Sequence, residues 1–159
     1  MAHLTIAAVG KLKEKYWQAA AAEYIKRLPL PYRPEIKEVR EEPFAAALSA
    51  GEKQLILAKE GQKLLSLVPS AAYLIALDVH GVAVSSEEVA ARLNKLLDAG
   101  QNIAFAIGGP LGIGAEVGKA ARERWSLSKM TFTHQMARVI LLEQIYRAYK
   151  INHGEKYHW

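Results

Sequence analysis

The sequence predicts an α/β protein with a parallel-type sheet and helices on both faces, on three observations. Strand-like runs alternate with helix-patterned segments along all 159 residues, the signature of βαβ units. Two of the runs, Tyr73 to Leu77 and Asn102 to Ile107, are almost continuously apolar, as strands covered on both faces must be. No internal repeat, low-complexity tract or linker divides the chain, so a single domain over residues 1–159 is expected.

The elements follow in order. His3 to Val9 is a short apolar run closed by Gly10 and reads as the first strand. Lys11 to Lys15 is basic. A helix over Glu14 to Leu28 places Trp17, Ala20, Ala21, Tyr24, Ile25 and Leu28 on one face, and Pro29, Pro31 and Pro34 end it. Glu35 to Arg40 alternates around Ile36 and Val39, a second strand suited to an edge. Glu41 to Gly51 reads as a mobile loop with a partial helix. Glu52 to Leu67 is helical, carrying Leu55, Ala58, Leu64 and Leu65. Tyr73 to Leu77 is the third strand, with Asp78 and Gly81 after it. Ser85 and Glu88 form a capping box for a helix bearing Val89, Leu93, Leu96 and Leu97, and Gly100 stops that helix. Asn102 to Ile107 is the fourth strand. Ala115 to Arg124 is a short helix, Trp125 to Ser128 a brief fifth strand, Lys129 to Thr133 a loop, and Gln135 to Lys150 the last helix.

Composition narrows the chemistry. Lys plus Arg number 21 against 16 Asp plus Glu, a net charge of +5, which favours a polyanionic partner without requiring one. Cysteine is absent, which excludes disulfides, thiolate catalysis and Cys-type zinc sites. The histidines are dispersed, with no H-E-x-x-H, so no metal is expected. The N-terminus runs straight into a strand and the apolar runs are too short to span a bilayer, so a cytoplasmic protein without membrane contact is expected.

The feature that organises the chain is the bend Phe105-Ala106-Ile107-Gly108-Gly109-Pro110-Leu111-Gly112. It ends a buried strand, and in open α/β sheets ligands bind beyond the carboxyl ends of the strands. A dinucleotide fingerprint fails on spacing: G-x-G-x-x-G begun at Gly112 reaches Gly114 and then Val117, and Lys129 stands where an acid belongs. No phosphate-loop motif and no G-x-S-x-G occurs. The ends at Leu77-Asp78, Ile107 to Gly112 and Leu127 to Phe132 would, at one sheet edge, enclose backbone amides within apolar walls. Such a pocket suits an adenine and a thioether or sulfonium. Ordinary βα turns are the equal alternative.

A second group of polar residues lies near the C-terminus. Arg138, Glu143, Gln144 and Arg147 sit on the last helix, His134 precedes it, and His153, Tyr157 and His158 follow. Glu143 and Arg147, four apart, can pair. The set suits RNA binding and proton movement; a surface ion pair and a frayed tail are the plain alternatives. The last helix is apolar nearly all round, through Met136, Val139, Ile140, Leu141, Leu142, Ile145, Tyr146, Ala148 and Tyr149. Burial on more than one side is then expected, and a homodimer through this helix explains it; a helix wedged between sheet and neighbouring helices is the other explanation.

These segments together resemble one family. They are Lys11 to Trp17, Ile107 to Gly112, Ser126 to Phe132, His134-Gln135-Met136-Ala137-Arg138-Val139, Glu143-Gln144-Ile145-Tyr146-Arg147-Ala148, and the Tyr157-His158 ending. The chain is similar along its whole length to the small bacterial 23S rRNA (pseudouridine-N3)-methyltransferases of the knotted SPOUT superfamily. The resemblance implies a C-terminal deep trefoil knot, an exception to unthreaded folding. It implies S-adenosylmethionine held by Leu77, Gly108, Gly109, Leu127, Ser128, Lys129, Met130, Thr131 and Phe132. It implies a homodimer through the last helix, and 23S rRNA within the assembled ribosome as substrate. Tyr157 or His158 would position the base or accept its N3 proton, and Arg138 would hold phosphate or stabilise charge on the base. One departure stands out: Thr133 occupies a place where the family often has proline. A non-enzymatic ribosome-binding or assembly factor and a flavodoxin-like protein are the competing classes.

Overall fold

A computed structural model of the chain describes residues 1–157. Its elements are β1 (Leu4–Val9), α1 (Lys15–Arg27), β2 (Pro34–Val39), α2 (Ala50–Leu67), β3 (Tyr73–Ala83), α3 (Ser86–Asp98), β4 (Ile103–Ile107), α4 (Ala115–Ala120), β5 (Glu123–Ser126) and α5 (His134–Asn152). The strands form one sheet in the order β2-β1-β4-β3-β5, and every pairing is parallel. β1 and β4 are buried along their full length, which accounts for their lack of polar alternation. β2 lies at an edge, as its mixed pattern predicts.

Two apolar layers flank the sheet. Ile6, Ile75, Phe105 and Leu77 point into one, with Leu93, Leu97, Leu142 and Ile145 from the helices. Ala7, Val9, Ala76 and Ala106 point into the other, with Leu64 and Val117. Hence α1, α3 and α5 cover one face, and α2 and α4 the other. Connections that step toward β2 use the first face and those that step toward β5 use the second. All four crossovers therefore share one hand, the rule for parallel units. From β1 the chain leaves toward β2, whereas from β4 it leaves toward β5. The loops diverge there and open a crevice beyond the carboxyl ends of the strands.

Tertiary pairing redraws three boundaries: the end of α4, the span of β5, which is Glu123–Ser126 and not the expected Trp125 to Ser128, and the end of β3. The helix expected to run to Arg124 stops at Ala120, because the Arg122 amide donates to the Leu74 carbonyl at 2.8 Å and Glu123 pairs with Ile75. Glu123 is held further by the Tyr73 hydroxyl at 2.6 Å and the Trp125 indole N–H at 2.7 Å. β3 continues past Leu77 to Ala83, since β5 pairs with it again at Val82 and Ala83 after a break in register. Gly81 permits this: a Cβ there would lie 2.6 Å from the Arg124 backbone. In α2 the buried face is Leu57, Glu60, Gly61 and Leu64, and Leu55 is exposed.

The caps match the sequence pattern. Ser85 and Glu88 form both bonds of the capping box on α3, and Gly100 adopts φ +70° after it. Thr133 is the N-cap of α5, accepting from the Met136 amide at 3.3 Å. Its φ of −61° is one that proline also adopts. Threonine adds the side-chain cap to a position whose φ suits either residue. On α5, Leu141, Leu142, Ile145 and Ala148 are buried, Val139 and Ile140 are half-buried, and Met136 is exposed.

Candidate active site

The ends of β3, β4 and β5 meet at a cleft of about 780 Å³. Leu77, Ile107, Leu127 and Phe132 supply apolar walls, and Gly108 to Gly112 supply a stretch of bare backbone. The bend closes on itself: the Gly112 amide donates to the Gly109 carbonyl at 3.0 Å, and Gly112 sits at φ +86°. A Cβ on Gly108 would lie 2.2 Å from the Gly112 carbonyl oxygen, and one on Gly109 would lie 3.0 Å from a Val9 methyl. These glycines therefore serve close backbone packing rather than a phosphate cradle. Ser128 shapes the neighbouring loop. Its hydroxyl accepts from the Met130 amide at 3.1 Å, and its carbonyl accepts from the Ser126 hydroxyl at 2.9 Å.

Of the nine residues expected to hold the cofactor, eight line this cleft: Leu77, Gly108, Gly109, Leu127, Ser128, Met130, Thr131 and Phe132. Lys129 does not line it. A further wall, unmarked in the sequence, comes from α2, where Ala50, Lys53, Gln54 and Leu57 face the cleft together with Glu41. Their spacing of three and four residues puts them on one helical stripe. That stripe mixes charge, amide and apolar groups, so no periodicity marks it.

His134 begins α5 and also lines the cleft. It is buried, and its Nε2–H donates to Glu41 at 3.2 Å. Its Nδ1 is buried without a partner among the described residues. Burial, aided by the Arg138 charge, holds its pKa below the usual histidine value, so the ring is neutral near pH 7. Arg138, expected from the sequence to contact phosphate or the base, lies wholly inside. Its guanidinium pairs with Glu38 on β2 and donates to the Gly10 carbonyl at 3.1 Å. Gly10 itself is at φ +92°, and a Cβ there would strike Glu41 and the His134 ring. Arg138 thus ties α5 to the end of β1 and makes no surface available to RNA in this chain.

Tyr157 is not among the residues that line the cleft. Its ring packs edge-on to Tyr146 at 4.9 Å, lies under the Arg147 guanidinium at 4.8 Å, and its hydroxyl donates to Glu143 at 3.2 Å. Glu143 also holds Arg147 at 2.6 Å, the expected i,i+4 pair. Burial and the Glu143 carboxylate raise the Tyr157 phenol above its ordinary pKa, so it remains a donor at neutral pH. His158 lies outside the described residues. No cluster of three or more potential metal ligands occurs among the described residues, and no described helix is long and apolar enough to cross a membrane.

A parallel sheet with a glycine-closed cleft beyond its carboxyl ends is the layout of an α/β ligand-binding enzyme. Residues 2–158 match the family described as "Predicted SPOUT methyltransferase". The ribosomal RNA large subunit methyltransferase H of Clostridium novyi is 50% identical over 157 residues, spanning 98% of this chain and 99% of the relative. That of Pelotomaculum thermopropionicum is 48% identical over 162 residues, spanning 100% of both. That of Bacillus thuringiensis is 43% identical over 157 residues, spanning 98% and 99%. The chain belongs to the SPOUT methyltransferases, in the family of the ribosomal RNA large subunit methyltransferases H, and is an rRNA methyltransferase.

Proposed function

We propose that this enzyme transfers a methyl group from S-adenosylmethionine to N3 of a pseudouridine in 23S rRNA, acting in the cytoplasm on the assembled ribosome. The observation that carries the cofactor assignment is the cleft. It combines apolar walls, the bare backbone of the Gly108–Gly112 bend and the buried, unpartnered His134 Nδ1. That donor and acceptor set, within apolar walls, fits an adenosyl group. Leu77, Gly108, Gly109, Leu127, Ser128, Met130, Thr131 and Phe132 would hold it, within one SPOUT domain spanning residues 1–159 whose C-terminal part forms the deep trefoil knot. S-adenosylmethionine supplies, when bound, an electrophilic methyl on a sulfonium that carries its own leaving group.

The chain's residues then have two tasks. The first is placement of N3 against the cleft, since orientation of two reactants contributes up to roughly 7–11 kcal/mol. The second is removal of the N3 proton. Tyr157, held protonated, positions the base by donating a hydrogen bond, and His158 accepts the proton. Within one chain Tyr157 rests on Tyr146 and Arg147 and does not line the cleft. A homodimer through α5 supplies the missing part: it covers Met136, Val139 and Ile140 and lets one subunit's tail serve the other's cleft. Arg138 is a positioning residue that fixes α5 against Gly10. The exposed Lys11, Lys13 and Lys15 lie just past β1 and provide a basic face for the ribosomal site.

Calorimetry with S-adenosylmethionine tests the cofactor assignment. Saturable binding with one site per chain, lost in Gly109→Val, is expected. Absence of binding under all conditions, with ribosome binding intact, would favour an assembly factor. Flavin absorbance in the purified protein would favour the flavodoxin-like class.

A further inference from the structure

A second groove, of about 680 Å³, runs along the outer edge of the sheet between α3, the distal half of β3 and β5. Arg92, Lys95, Arg122 and Arg124 line it, against the carboxylates of Glu88 and Glu123. Both carboxylates are already engaged. Glu88 accepts from the Ser85 amide at 2.6 Å in the capping box. Glu123 accepts from Tyr73, Trp125 and, at 2.9 Å, Arg92. Arg124 reaches Asp78 at only 3.5 Å, with its side chain half exposed. Lys95 and Arg122 are exposed and have no carboxylate partner among the described residues. The groove therefore presents uncompensated positive charge.

Its position matters as much as its charge. His80 and Trp125 line this groove and the methyl-transfer cleft alike, so the two meet within β3, where Leu77 gives way to its second stretch of pairing with β5. Trp125 is 3% exposed and gives no platform for stacking a base. Arg and Lys side chains are the usual partners of phosphate oxygens, and this groove sets no stacking platform beside them.

Resting on the rRNA-methylation reading, we propose that this groove is a second rRNA contact, gripping the phosphodiester backbone of the strand that leads into the cleft. The contact is independent of sequence and sets affinity and approach, leaving choice of the base to the cleft. Guarding the exposed edge of β5 against pairing is the competing role for the same charges.

The double variant Lys95→Gln/Arg122→Gln tests this on ribosomes lacking the modification, with Lys59→Gln on the exposed outer side of α2 as the control. The expected result is a KM for ribosomes raised about fivefold to tenfold, with kcat and S-adenosylmethionine affinity unchanged. The slope of log binding constant against log salt should flatten by roughly 1.5–2, and the control should match the unsubstituted enzyme. An unchanged KM and salt slope in the double variant would overturn the proposal, and loss of solubility with them would assign the charges to edge protection. Should the unsubstituted protein methylate no ribosome at all, the functional reading itself fails and the groove proposal falls with it.

Discussion

Arg138→Ala separates a structural tie from direct participation in the reaction. The guanidinium is fully buried and bridges Glu38 on β2 to the Gly10 carbonyl. Removing one partner of a buried pair costs about 3–5 kcal/mol. Glu38 has 31% of its side chain exposed and can turn to water, which places the loss near 3 kcal/mol. The Gly10 carbonyl loses its donor, adding about 1 kcal/mol. The sum, roughly 4 kcal/mol, is a large share of an unfolding free energy of about 5–15 kcal/mol. For a chain of this size it lowers Tm by about 8–16 °C. Thermal denaturation followed by circular dichroism measures this. At a temperature where the variant is folded, single-turnover methyl transfer should stay within about tenfold of the unsubstituted enzyme. Arg138→Lys keeps the charge and should recover about half of the lost stability. A variant that melts within about 3 °C of the original yet loses transfer by more than a thousandfold would refute this reasoning, and would place the guanidinium on the RNA or the base.

Gly108→Ala puts a methyl 2.2 Å from the Gly112 carbonyl oxygen, so the bend must open and S-adenosylmethionine binding, read by calorimetry, should be lost; Gly109→Val should act likewise through Val9. Tyr157→Phe removes a 3.2 Å bond to Glu143 and should cost at most about 1.5 kcal/mol of stability, while the single-turnover rate on ribosomes falls; near-normal rates in both Tyr157→Phe and His158→Ala would end the tail's catalytic role. Burial depresses the His134 pKa below the ordinary histidine value of about 6.5, so the unfolded chain binds the extra proton. Stability from this group is complete above about pH 6.5 and declines as pH falls through that value toward the lower folded pKa. His134→Gln should flatten the dependence of Tm on pH between 7 and 5, and an unchanged slope would contradict the neutral assignment.

The sheet and its helices were legible because each element carried a local signal. Continuous apolarity marked β1, β3 and β4, a capping box marked α3, and edge-like alternation marked β2. The eight cleft-lining loop residues were legible as strand ends and through the family motifs. Illegible features were those fixed by distant contacts. β5 starts at Glu123 because Ile75, Tyr73 and Arg92 hold it there, and no periodicity reports such partners. Arg138 read as a contact for phosphate or the base, whereas a glutamate a hundred residues away holds its guanidinium inside. The α2 wall of the cleft lacks an apolar stripe, and His134 read as one of the polar groups suited to RNA or proton movement, with no sign that it is buried. Its burial depends on Gly10 and Glu41 arriving from the other end of the sheet.

The central claim is tested most directly by ribosomes purified from cells lacking the gene, incubated with the enzyme and S-adenosylmethionine carrying an isotopically labelled methyl group, followed by mass spectrometry of 23S rRNA digests. One labelled methyl on N3 of a single pseudouridine is expected with the unsubstituted enzyme, and none with Gly108→Ala. Label on another nucleotide, or equal label with Gly108→Ala, would contradict the claim.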